Sequence, residues 1–159
     1  MVKAERWFEI QCDAGNAPDD PYYHGAFTVR RHILGEEKPE DFAAEAGRMD
    51  RHLPGPTPAE GVALLFGLKW ACRARDSGEI FPDDPVVLFT DNMPVALKVE
   101  KGTTWGTHME IWCALKEAKE ELQKRGPVEV LPMPRHWNLA DALTHENYPE
   151  LSTWKVPEE

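Results

Sequence analysis

Cysteine is scarce in this sequence: Cys12, Cys72 and Cys113 are its only three, and they lie far apart. An odd number with no Cys-x-x-Cys spacing excludes a disulfide framework and a cysteine-based zinc site. Reduced, mostly buried thiols are expected. Positive charge is also short, with 18 lysines and arginines against 28 aspartates and glutamates and a net charge of −10. Such a chain repels polyanions at long range, so any action on nucleic acid must run through local basic residues or metal ions. No stretch approaches the roughly 20 apolar residues of a membrane helix. The start, Met1-Val2-Lys3-Ala4-Glu5-Arg6, lacks the apolar run of a signal peptide. A cytoplasmic protein without membrane contact is the expectation. What remains is globular material: 159 residues, 42% of them hydrophobic, enough for one core and read as one domain over 1–159.

The 14 prolines gather in connections and cut the chain into short elements. Residues 6–13 alternate, with Phe8, Ile10 and Cys12 on one face, and read as a strand ending at Asp13. Residues 24–34 and 41–47 read as two further strands of an antiparallel meander. Then the period changes. Thr57-Pro58-Ala59-Glu60 has the form of a helix start, with Thr57 at the N-cap, Pro58 at the first helical position and Glu60 closing a capping box. That helix runs to about Ala74 and is apolar nearly all round, as one lying over the middle of a sheet would be. Gly61 and Gly67 inside it each cost up to ~1 kcal/mol relative to alanine, which points to close packing there. Residues 86–90 (VVLFT) have the unbroken apolar character of a central strand. A helix over 93–100 ends at Gly102. Another over 107–125 carries an apolar stripe at Ile111, Leu115, Ala118 and Leu122 and stops at Gly126-Pro127. A strand at 128–131, a turn from Pro132 to Asn138 and a short helix containing Asp141 complete the order β-β-β-α-β-α-α-β-α. The fold class is α/β: a mixed five-stranded sheet, three antiparallel strands then parallel ones, flanked by helices. The segment after His145 is expected to pack back through Tyr148, Leu151 and Trp154. Trp7, Trp70 and Trp112 are expected in the core, and Arg30 and Arg31 on solvated surface.

Four acids fall at the ends of these elements. Asp13 ends the first strand, Asp91 follows the central strand, Glu60 lies in the first turn of the buried helix, and Asp141 begins the last helix. Taken singly, each has an ordinary explanation: a turn residue for Asp13, the capping box for Glu60, an N-cap pair for Asp91 with Asn92, and a dipole complement for Asp141. Taken together, carboxylates meeting at one place repel strongly, and such clusters serve mainly to hold hard divalent cations. A pair of such ions is the recurrent device of phosphodiester hydrolysis.

Asp13 in CDAGNA, Glu60 in TPAEGVALLFGLKWA, Asp91 in VVLFTDNMPVALK and Asp141 in PRHWNLADAL resemble the four metal-binding acids of ribonuclease H type 1, in the same order and on the same elements. The resemblance covers roughly residues 6–145. It implies the ribonuclease H-like fold and a metal-dependent endoribonuclease that hydrolyses the RNA strand of RNA/DNA hybrids by two-metal-ion catalysis, with Mg²⁺ and with Mn²⁺ as substitute. Around the acids, Asn16, Asn92, Arg135 and Asn138 would meet the nucleic acid, and Trp105 is placed to stack on a base or sugar. The sequence departs from the pattern in three places, the first of them in the opening motif, where Ala14 and Asn16 flank Gly15 and the connection that follows is acidic at Asp19 and Asp20. The basic, tryptophan-containing handle of bacterial members is missing, because Lys98 to Trp105 passes almost directly into the next helix. The position of a mobile catalytic histidine is Leu131 here, which leaves His136 as the nearest replacement. His145, one turn after Asp141, is a weaker neighbour of the site. Two other readings follow from the missing handle and the acidic surface: a nuclease of the same fold with another nucleic-acid substrate, and a non-catalytic binding module with a protein partner. A monomer is expected.

Overall fold

The computed structural model describes residues 5–16, 19–145 and 151–158. Strands β1 (Arg6–Asn16), β2 (Tyr23–Ile33) and β3 (Glu40–Met49) form the antiparallel meander, followed by helix α1 (Pro56–Asp76) and strand β4 (Val86–Thr90). Helices α2 (Met93–Lys101) and α3 (Met109–Arg125), strand β5 (Val128–Pro132), a 3-10 turn at Arg135–Trp137, helix α4 (Asp141–His145) and strand β6 (Ser152–Trp154) complete the chain. The strands form one sheet in the order β5-β4-β1-β2-β3-β6. β1 pairs antiparallel with β2 and parallel with β4, and β4 pairs parallel with β5. This is the expected mixed sheet, with one strand more than the sequence indicated. β6 pairs parallel with β3 over Gly47–Met49; its three residues are too few to show a period. Among the described residues, no helix is long and apolar enough to cross a membrane.

Phe8, Ile10 and Cys12 face α1 and are fully buried, with Phe27 and Val29 beside them. The two helix glycines mark where α1 is gripped. A Cβ on Gly67 would stand 2.8 Å from Cys12 Sγ, and one on Gly61 would stand 2.9 Å from the Trp112 ring of α3. The sheet below and α3 beside it explain why α1 is apolar nearly all round.

Several sequence expectations need correction. α1 begins two residues early, with Gly55 as N-cap and no side-chain cap. The Thr57 hydroxyl instead accepts from Asn92 Nδ2 at 3.3 Å. Glu60 is therefore a full turn inside the helix rather than in a capping box. β1 continues three residues past Asp13, because β2 goes on pairing with it through Asn16↔Tyr23. Of the thiols, Cys12 is buried but Cys113 is exposed. Trp7 is only partly buried and stacks on His32 at 3.8 Å. Arg30 is not free surface, since it donates to the buried Glu9 carboxylate. Trp154 does pack back, whereas Tyr148 lies outside the described residues.

Candidate metal centre

β1 and β4 run parallel as far as Cys12↔Thr90, and then part. Asp13 and Asp91 are the next residues of the two strands, so their carboxylates emerge together at the carboxyl ends. The main chain of Asp13 still pairs with Ala26, so it is not a turn residue. The N-cap of α2 is Asn92, whose side chain accepts from Val95 N at 3.2 Å. Asp91 is thereby left free of the capping role. Glu60 descends from α1 onto the same point. Oxygens of Asp13, Glu60 and Asp91 all lie within 4.8 Å of one another. Asp13 and Glu60 are buried, 2% and 6% exposed.

Asp141, expected as the fourth member, is not in that 4.8 Å set. It borders it, in hydrogen-bonding reach of Asp13 and in charge contact with Asp91. Burial pushes the Asp13 carboxyl up to about 7 and that of Glu60 to about 11, and their mutual repulsion adds to the effect on Glu60. Glu60 therefore keeps a proton in the metal-free protein and shares it with Asp13. The Asp91 carboxyl is also raised, first by burial, while Asn138 and Arg135 oppose the rise.

Asp13 Oδ2, Glu60 Oε2 and Asp91 Oδ2 are buried and lack a hydrogen-bond partner among the described residues. An unmatched buried carboxylate oxygen is costly, and three converging on one point are the donor set of a hard divalent cation. The residues present fit such an ion.

Above the acids lies an open cleft of about 600 Å³, with Gly15, Asn16, Tyr23, Thr57, Asn92 and Arg135 in its walls. Three expected nucleic-acid residues, Asn16, Asn92 and Arg135, are therefore brought together with the acids. Trp105 is not, and Asn138 reaches the acids from inside the fold: it is 6% exposed, its Nδ2 donates to Cys12 O at 2.9 Å, and its side chain hydrogen-bonds Asp91. Trp105 is 75% exposed, outside the cleft, with Lys98 Nζ 5.9 Å from its ring. His136 is exposed, its ring edge-on to Trp137 at 5.5 Å, and the cleft lining includes Arg135 but not His136. The His145 side chain lies outside the described residues. Sequence reasoning missed Tyr23 and Thr57. Tyr23 had a signal, because it stands opposite Asn16 in the hairpin. Thr57 had none, since its place at the site depends on a partner, Asn92, from a distant segment.

No protein-family model and no curated protein matches the sequence. Solved structures do match the fold. RNase H1 from the halophilic archaeon Halobacterium salinarum NRC-1 superposes with a TM-score of 0.59 at 18% identity, over 86% of this chain and 92% of that one. LC11-RNase H1, isolated from compost by a metagenomic approach and solved in complex with an RNA/DNA hybrid, gives 0.64 at 16% identity, over 86% and 92%. The N-terminal RNase H domain of Rv2228c from Mycobacterium tuberculosis gives 0.62 at 15% identity, over 86% and 89%. The chain has the ribonuclease H-like fold.

Proposed function

We propose that the protein is a metal-dependent endoribonuclease that hydrolyses the RNA strand of RNA/DNA hybrids, acting as a cytoplasmic monomer of one domain over 1–159. The observation that carries this reading is the convergence of three unmatched buried carboxylate oxygens at the carboxyl ends of β1 and β4. Its support from relatives is the LC11-RNase H1 complex with an RNA/DNA hybrid, whose fold this chain shares.

Asp13, Glu60 and Asp91 would hold the ion, with Asp141 adjoining and available for a second one. Mg²⁺, or Mn²⁺ in its place, supplies charge neutralisation at the scissile phosphodiester when bound. Arg135, in the cleft wall, offsets the acids and offers a charged donor to a phosphate oxygen. Asn92, fixed by its bonds to Val95 and Thr57, keeps the rim of the cleft in place. Asn16 and Tyr23 also line the cleft and would meet the RNA strand. His136 lies beside this arrangement, and a proton-moving role for it would require the 3-10 turn to shift toward the cleft.

The test is cleavage of end-labelled RNA/DNA hybrid beside single-stranded RNA, duplex RNA and duplex DNA, in Mg²⁺, Mn²⁺ or EDTA. Metal-dependent loss of the hybrid's RNA strand alone is the expected result. Cleavage confined to duplex RNA or duplex DNA would move the assignment to another substrate on the same site. No cleavage together with no cation binding would leave a non-catalytic module for a protein partner.

A further inference from the structure

The fourth acid opens a short helix, with Ala140 before it and Thr144 after it buried. α4 is only five residues long, and the turn before it exposes the side chain of Leu139, which is 48% accessible. That side chain adds little apolar packing to the turn, and beside the buried Ala140 two hydrogen bonds to β1 help to seat it. Asn138 Nδ2 donates to Cys12 O at 2.9 Å, and Leu139 N donates to Gln11 Oε1 at 2.7 Å. Gln11 is 4% exposed and points to the same sheet face as Asp13, two residues further on.

The orientation of the Gln11 amide is itself fixed. Its Nε2 donates to Glu9 Oε2. A carboxylate only accepts, so Oε1 is turned toward Leu139 N. Glu9, 5% exposed, is held in turn by Arg30 Nη2 at 3.0 and 2.9 Å and by His32 Nε2 at 2.7 Å. A row of polar groups, buried at Glu9 and Gln11, thus runs from the part-buried Arg30 and His32 of β2 to the turn before Asp141.

We propose that Gln11 is a positioning residue: it holds the 138–141 turn, and with it Asp141, against β1 beside the three-acid cluster. This rests on the metal-site reading above. Gln11 touches neither substrate nor ion, and acts only through Leu139 N–H. Groups that orient metal ligands in this indirect way typically change metal affinity about 10- to 100-fold when removed.

The experiment is a double-mutant cycle on Mn²⁺ affinity, measured by calorimetry on wild type, Gln11→Leu, Asp141→Asn and the double variant. Amide hydrogen exchange at Leu139 is followed in metal-free wild type and Gln11→Leu. The expected results are a Mn²⁺ affinity about ten-fold weaker in Gln11→Leu, a double variant no weaker than Asp141→Asn alone, and Leu139 exchange at least about ten-fold faster than in wild type. Losses that multiply in the double variant, unchanged affinity in Gln11→Leu, or unchanged Leu139 exchange would each overturn the proposal. Gln11→Met, closer in length, replaces leucine if that variant does not fold. Wild type that binds no Mn²⁺ would sink the metal-site reading and the assignment to Asp141 with it, whereas Mn²⁺ binding insensitive to Gln11 would sink the positioning role alone.

Discussion

The two ends of the sheet solve opposite problems. At the carboxyl ends of β1 and β4, three buried carboxylate oxygens lack partners and an open cleft stands above them. At the β3–β6 edge, a single tryptophan closes the packing. Trp154 lies in a slot floored by Gly25 and Gly47, where a Cβ on either would come within 2.3 Å of its ring. The indole stacks on Phe66 at 4.4 Å, and the chain beyond is pinned by Val156 N donating to Asp50 Oδ1 at 2.9 Å. One end carries a local cost that a cation can relieve, and the other supplies the packing that tolerates that cost. Buried polarity without partners marks the place where chemistry is expected, and complete packing marks the place where only stability is at stake.

Substitutions should separate these two regions cleanly. The largest effect is expected from Asp91→Asn, which should lower hybrid cleavage by at least about 10²-fold. Its metal-free melting temperature should stay equal to wild type or rise, because one of the repelling charges is gone. A gel assay and a thermal scan on the same preparation check both, and a large stability loss would break the contrast. Trp154→Ala comes next. Removing a buried tryptophan should cost about 3–5 kcal/mol in denaturant unfolding, while Mn²⁺ affinity of the remaining folded protein stays at the wild-type value.

A third effect is smaller and concerns pH. Asp13 and Glu60 have carboxyls raised above their ordinary range by burial. The folded protein therefore holds protons that the unfolded chain releases above about pH 4. Metal-free stability should be greatest in mild acid and decline as pH rises through about 7, where Asp13 gives up its proton. Mn²⁺ held at one fixed concentration, about 100 times its dissociation constant at pH 8, should add about 2.7 kcal/mol there. That corresponds to roughly 5–10 °C in melting temperature for a chain of this size, and the gain should be larger at pH 8 than at pH 5. Thermal scans at the two pH values, with and without the ion, decide it. A gain that is the same at both would indicate that the cation does not displace a proton from the acid pair.

Much of the fold was legible because it is written in local periods. The alternation of Phe8, Ile10 and Cys12, the apolar run at 86–90 and the glycines at 61 and 67 each announced the element or contact that the structure contains. The clustering of Asp13, Glu60 and Asp91 was legible for a similar reason, since acids at the ends of elements meet wherever the strands are neighbours. What was not legible depends on long-range partners. The Thr57 side chain bonds to Asn92 instead of capping its own helix, and Asn138 turns inward to Cys12 O. No nearby residue signals either choice. The sixth strand escaped because one tryptophan carries it, and its slot is made by glycines more than a hundred positions away.

Among the described residues, β6 covers β3 only over Gly47–Met49, and no other strand pairs with that edge from Glu40 to Ala46. A bare rim of backbone amides and carbonyls invites another chain to dock edge to edge and grow into aggregates. Glu40, Asp41 and Glu45 stand exposed along it, so a second copy approaching in register would bring like charges together. The acid surplus that repels polyanions thus also acts as a gatekeeper against self-association along this edge.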